Sequence, residues 1–255
     1  MILDDICALS RKRAAQLDCS IKKTAEEMDH VPQNLLNAVK KYRDERNAVI
    51  AEIKYNTPSD KSIDSGMDPA DLARSYEAGG ACAVSVLTEP FYFSGSMGNL
   101  TKVKNVTHLP VLRKDFIVDE KQIYETYALQ ADSVLLIADV LQERLADFIS
   151  LCRSLRIEPL VEVRTQEEAE NAIRSGAQLM GINNRNLHDM SVDTRKTKDI
   201  SKIFRDAGLT VISESGIKTP EDIVDLKNCC DGFLIGTTLM KSADPQKTLE
   251  GFVCA

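Results

Sequence analysis

With 255 residues, the chain suits one large domain or two small ones and buries on the order of three quarters of its unfolded surface, so it needs no disulfide or metal to fold. Hydrophobic residues make up 43% and charged residues 28%, an ordinary balance for a globular protein. A net charge of −7 without basic blocks argues against a nucleic-acid or membrane-surface partner. No apolar run approaches the ~18 residues of a transmembrane helix; the longest, Val134 to Ile137, is broken by Asp139.

The first residues, Met1-Ile2-Leu3-Asp4-Asp5, place acids where a secretion signal carries base, which predicts a cytoplasmic protein. The seven cysteines are odd in number and irregularly spaced, with no CxxC pair. They read as reduced thiols of a cytosolic protein. His30, His108 and His188 are far apart, so no metal site is expected.

In chain order, Ile2 to Leu17 has helical spacing and a basic cluster, Arg11-Lys12-Arg13, and Gln33 to Arg46 is a second charged helix begun near Pro32. Both charged faces read as solvated. Residues 1–46 are predicted to form a helical extension capping a single domain, residues 47–255, in which strands and helices alternate. The strand runs are Ala48 to Lys54, Ala81 to Leu87, Leu109 to Lys114, Asp132 to Ala138, Ile157 to Val163, Gln178 to Asn183, Leu209 to Glu214 and Asp231 to Ile235. Continuous apolar runs of this length suit strands buried on both faces of a parallel sheet. Asp68-Pro69, Thr165 to Glu168 and Thr219 to Asp222 are helix starts, and Gly79-Gly80, Gly176 and Gly208 are helix ends. Eight such units in about 200 residues predict a (β/α)₈ TIM barrel. A doubly wound open sheet is the alternative, weakened by the lack of GxGxxG after the first strand.

Barrel active sites lie at the C-terminal ends of the strands. There this chain carries Glu52 and Lys54 on one side of strand one, Lys114 on strand three, Glu162 on strand five, Asn183 and Arg185 on strand six and Glu214 on strand seven. Buried charges cost several kcal/mol unless paired, so Glu52, Lys54, Lys114, Glu162 and Glu214, five at one rim, point to general acid–base chemistry. A lysine among cations is expected to have a lowered pKa and to act as an acid near neutrality. Glu214-Ser215-Gly216 and Ile235-Gly236-Thr237 are glycine turns with hydroxyls on the strands where barrels bind phosphate through backbone N–H groups. The predicted substrate is a small phosphorylated anion.

Six ordered motifs carry a resemblance: Ile50-Ala51-Glu52-Ile53-Lys54 with Thr57-Pro58-Ser59, Ser85 to Glu89 with Tyr92 to Ser96, Leu112 to Ile117, Leu160 to Val163, Gly181 to Leu187 and Ile212 to Ile217. Together they resemble indole-3-glycerol phosphate synthase, a family that also has an N-terminal helical extension. The resemblance implies a cytoplasmic carbon–carbon lyase of tryptophan biosynthesis. It would close the ring of 1-(2-carboxyphenylamino)-1-deoxyribulose 5-phosphate with loss of carbon dioxide and water, without cofactor or metal. Other enzymes of that pathway would be its protein partners.

The resemblance further implies Lys114 as general acid on the ketone oxygen and Glu162 in the proton transfers that expel the hydroxyl. Lys54 would hold the anthranilate carboxylate, Glu52 would orient the lysines and Asn183 would hydrogen-bond the reacting substrate. Arg185 and Glu214 would complete the network, with Thr57 contacting substrate beside them. Ser215, Gly216, Gly236 and Thr237 would bind phosphate, and Phe93, Phe116 and Leu187 would line the slot for the aromatic ring.

The chain departs from the family pattern at Tyr55, where Arg is usual, at Asp60-Lys61, where Lys-Gly is usual, and at Thr57 and Thr237, where Ser is usual. A less positive rim predicts weaker, salt-dependent binding of the anionic substrate. A Schiff-base aldolase, a phosphoribosylanthranilate isomerase and a non-catalytic binding subunit are the rival readings.

Overall fold

The computed structural model describes residues 2–58, 60, 63 and 66–255. Eight parallel strands form the sheet: β1 (Ala48–Ile53), β2 (Ala83–Leu87), β3 (Val111–Lys114), β4 (Ser133–Ile137), β5 (Leu160–Val163), β6 (Leu179–Asn183), β7 (Thr210–Glu214) and β8 (Gly232–Ile235). Each lies inside its predicted run. The strands pair in chain order and β8 pairs with β1, so the sheet closes into a (β/α)₈ barrel and the open-sheet alternative falls.

The register fixes which side chains meet. Ile137, Glu162, Gly181 and Ile212 are successive partners across β4 to β7. One step toward the C-terminal rim, Asn183 pairs with Glu214 and Glu214 with Leu234. Side chains alternate across a strand, so Ile50, Leu112, Leu135, Leu160, Leu179, Ile212 and Leu234 share the interior cluster. The intervening Val49, Ala51, Val84, Val86 and Val111 pack in one outer cluster, and Val134, Leu136, Val161, Met180 and Val211 in another. Each fully buried aliphatic side chain contributes about 1.5–3 kcal/mol.

The helix starts obey local chemistry. Asp68 accepts from the Ala70 N–H at 2.9 Å, and the Thr165 hydroxyl accepts from the Glu168 N–H at 3.2 Å. Gly176 and Gly208 end their helices with φ of 84° and 71°, where a Cβ would be strained.

Three helices precede β1: α1 (Ile2–Gln16), α2 (Ile21–Glu27) and α3 (Leu35–Glu45). The sequence reading had no α2, which buries only Ala25 and so gives no apolar stripe to detect. Leu3, Ile6 and Cys7 of α1 and Leu35 and Val39 of α3 pack in the cluster that holds Phe116 and Ile137. The basic cluster on α1 divides. Arg11 and Lys12 are exposed, whereas Arg13 donates to Asp115 at 2.6 and 3.2 Å. Arg43 of α3 pairs with Asp231 at 2.7 Å. The solvated reading fails at Arg13, whose partner lies over a hundred positions away in the chain, and holds for Arg43, which stays exposed. Among the described residues, no helix is long and apolar enough to cross a membrane.

Candidate active site

Three strand ends bring the charges together. The Glu52 carboxylate at the end of β1 accepts from Lys54 Nζ at 2.7 Å and from Lys114 Nζ at 3.2 Å. Lys114, the last residue of β3, also donates to Glu214 Oε2 of β7 at 2.8 Å. Glu52, Glu162 and Glu214 are buried, and both lysine side chains are about 15% exposed or less. One ammonium thus links two buried carboxylates, and a second ammonium shares one of them.

This arrangement separates the protonation states. Burial acts to raise Glu52, but Lys114 and Lys54 overcome it and hold its carboxyl at about 2. Burial acts to lower Lys114, but Glu214, Glu52 and Glu162 push it above the ordinary lysine value. The expected lowering of a lysine pKa is therefore corrected: Lys114 faces three carboxylates, and the nearest charges are opposite in sign. Glu162 goes the other way. Burial and the Glu214 charge raise it to about 8, against the pull of Lys114 and a hydrogen bond with Asn183. The rim thus holds an ammonium kept charged beside a carboxyl that burial makes hold its proton more tightly than usual.

These groups face a pocket lined by Glu52, Lys54, Thr57, Phe93, Lys114, Phe116, Glu162, Asn183, Arg185, Leu187, Ser215, Gly216, Gly236 and Thr237. Glu214 is completely buried and reaches the cavity only through Lys114. Phe93 and Phe116 stand with ring centroids 6.0 Å apart and, with Leu187, form an apolar wall. Arg185 donates its backbone N–H to Asn183 Oδ1 at 2.9 Å and its Nη1 to the Met190 carbonyl at 3.1 Å. On the opposite side, Ser215 and Gly216 are consecutive left-handed residues, with φ of 67° and 89°. This turns the β7 loop sharply beside Gly236, and Thr238 Oγ1 donates to the Ile217 carbonyl at 2.9 Å, joining the two turns.

Several residues that shape the site were not assigned a role from sequence. The Asn184 amide donates to the Ser215 carbonyl at 3.0 Å and its oxygen accepts from Thr197, which fixes the Ser215 turn. Glu89 accepts backbone N–H groups of Phe91, Tyr92 and Phe93 at 2.7–3.1 Å and curls that loop. Leu87, Leu135, Ile137 and Leu234 line the cavity; period two along their strands was the signal available for them. Met190 also lines it, from a loop that gives no such signal. Arg113, next to Lys114 on β3, faces the helices, fully buried. It donates to Thr88, Gln122, Thr126, Asp115 and Glu125.

The altered first loop is partly described. The Tyr55 hydroxyl donates to the Met67 carbonyl at 2.9 Å. Thr57 Oγ1 accepts from the Asp60 N–H at 3.0 Å. Asp60 pairs with Lys241 at 2.5 Å, next to the short helix Thr237–Met240 that follows the β8 turn. Ser59 and Lys61 lie outside the described residues.

The family model of indole-3-glycerol phosphate synthase matches residues 3–252. The indole-3-glycerol phosphate synthase of Aquifex aeolicus is 45% identical over 205 residues, 79% of each chain. That of a Thermoanaerobacter species is 39% identical over 255 residues, 99% of this chain and 97% of its own. Among solved structures, thiamine phosphate pyrophosphorylase from Pyrococcus furiosus shares the fold, with a TM-score of 0.62, 17% identity and coverage of 82% of this chain and 95% of that one. With the family model spanning nearly every residue and relatives this similar along the whole chain, the protein belongs to the indole-3-glycerol phosphate synthase family.

Proposed function

We propose that this cavity carries out the reaction of its family with Lys114 as the general acid. 1-(2-Carboxyphenylamino)-1-deoxyribulose 5-phosphate closes its ring, loses carbon dioxide and water and leaves as indole-3-glycerol phosphate. The protein is in this reading a carboxy-lyase of tryptophan biosynthesis. The observation that carries it is the single ammonium of Lys114 held between Glu52 and Glu214 at the mouth of a cavity with an apolar wall on one side and two glycine turns on the other.

The substrate has two anionic ends and an aromatic ring between them. The phosphate sits at the turns of Ser215-Gly216 and Gly236-Thr237, where backbone N–H groups neutralise it. The ring lies against Phe93, Phe116 and Leu187, and Lys54 holds the anthranilate carboxylate, with Thr57 and Arg185 completing the contacts. Two anchored ends bring the ring carbon against the ketone, which is a proximity effect. As the bond forms, negative charge develops on the ketone oxygen; Lys114 stabilises it and gives up its proton. Carbon dioxide leaves next, its electron pair returning to the ring iminium, and the apolar wall favours this by keeping water from the carboxylate. Glu162, its carboxyl raised by burial, delivers the proton that expels the hydroxyl as water, with Asn183 aligning the group, and the Lys114 amine left by the first step takes up the ring proton lost as the indole double bond forms. The side chains account for each proton, so the steps are written without metal or cofactor.

The residues before β1, 1–46, act in this reading as a cap on the barrel domain of residues 47–255. A cytoplasmic location and contact with other enzymes of the pathway extend the same proposal. The test is a fluorescence assay for the indole product, with the purified protein and this substrate and no added metal or cofactor. Turnover that falls by about 10²-fold or more in both Lys114→Ala and Glu162→Gln, with phosphate affinity retained, supports the assignment. Near-normal kcat in Lys114→Ala sinks it.

A further inference from the structure

Two glycines stand against the two carboxylates that hold Lys114. Gly181 lies inside β6, paired with Glu162 on one side and Ile212 on the other. Its φ lies outside the left-handed region, so its backbone conformation does not require glycine. A glycine there weakens the strand unless something needs its space. A Cβ on Gly181 would overlap Glu214 Oε1 and come within 3.1 Å of Glu214 Cδ. At Gly236 a Cβ would overlap Glu52 Oε1 and come within 3.1 Å of Glu52 Cδ.

Glu214 depends on this space more than Glu52 does. Glu52 is held on both oxygens, by Lys54 and by Lys114. Glu214 is held on Oε2 by Lys114, while its buried Oε1 finds no hydrogen-bond partner among the described residues. The face of the carboxylate turned toward β6 is therefore located by shape alone. We infer that Gly181 is a positioning residue for this reaction: the missing Cβ seats the Glu214 carboxylate, which aims the Lys114 ammonium into the cavity. The inference rests on Lys114 being the acid.

The test is a double-mutant cycle of wild type, Gly181→Ala, Glu214→Asp and the double variant, read in kcat, in KM and in the free energy of urea unfolding. A methyl that pushes Glu214 aside lowers kcat roughly 10- to 100-fold, since a displacement of this size misaligns the reacting groups, and leaves KM within about threefold. In the Glu214→Asp background the shorter side chain vacates the space, and adding Gly181→Ala changes kcat less than about twofold. Equal losses in both backgrounds, or no loss in either, overturn the proposal. Should Glu214→Asp be too slow to assay, the stability cycle decides by the same criterion. Should Gly181→Ala fail to fold, a folded double variant supports the proposal and an unfolded one overturns it, because the space would then be needed by Leu160, whose Cδ1 lies 3.5 Å from the same point. Failure of the acid assignment is seen separately, as retained kcat in Lys114→Ala.

Discussion

Lys114 on β3 and Glu214 on β7 meet at 2.8 Å although their strands lie four places apart in the closed ring of eight. The pair spans the barrel, and Glu52 of β1 joins it from the side. A lysine in this position is fully charged before substrate arrives, and the opposing carboxylates favour its reprotonation after it has given up a proton. Lys114→Ala leaves Glu214 and Glu52 without their shared cation, so it is expected to lose kcat by about 10²- to 10⁴-fold. Lys114→Arg keeps the charge but spreads it over a planar fork that fits two separate carboxylates poorly, and it should recover little. Steady-state kinetics with urea unfolding distinguishes loss of chemistry from loss of fold.

Glu162 titrates far from its ordinary value. Its carboxyl, raised to about 8 in the folded protein against an ordinary 4.5, binds a proton in the native state that the unfolded chain has already released between those two values. Its contribution to stability is present at low pH and is lost as pH rises through about 8. In Glu162→Gln this loss disappears, so the variant gains on wild type between pH 4.5 and 8 and levels off above. In activity, kcat/KM falls above an apparent pKa near 8 as the acid is spent. Parallel unfolding curves for the two proteins across this window would show that another group titrates there.

Asp60 and Lys241 are both partly exposed, so their pair contributes under about 1 kcal/mol to stability. Its effect is electrostatic: it offsets a cation next to the β8 turn. Asp60→Asn removes one negative charge near the phosphate end of the cavity and releases Lys241 from this pair. KM for the anionic substrate should drop about two- to fivefold at low salt, and the difference should vanish near 1 M salt, where the screening length is about 3 Å. Unchanged KM at low salt would mean that the pair is too far from the bound substrate to matter.

Arg113 makes the opposite use of charge. It is fully buried and joins Asp115 at 3.2 Å and Glu125 at 2.7 Å, and Asp115 in turn receives Arg13 from α1. Burial acts to raise the Asp115 carboxyl, and the two arginines reverse that. Arg113→Met leaves the part-buried Glu125 without this cation and the buried Asp115 with Arg13 alone, and is expected to cost about 3–5 kcal/mol in urea unfolding. The folded fraction should keep more kcat than Lys114→Ala. A loss within 1 kcal/mol would show that water reaches this layer.

The eight strands were legible in the residues alone, because an apolar run long enough to be buried on both faces is a local property that neighbouring residues reveal. Period two also determined that Glu52 and Lys54 share a side, and they pair at 2.7 Å. The turns after β7 and β8 were legible because glycine and hydroxyl residues follow the strand without interruption. The three-dimensional packing set closure, since strand spacing is the same in an open sheet. It decided the burial of Arg113 and the brace from Arg13 to Asp115, which join residues about a hundred positions apart. It also decided the direction of each pKa, which depends on which charges lie within a few ångströms in space: Lys114 rises because three carboxylates surround it, and Glu162 rises because it is buried beside Glu214. Alternation along one strand can aim a side chain into the barrel, but its protonation state is set by the side chains that reach it from the other strands.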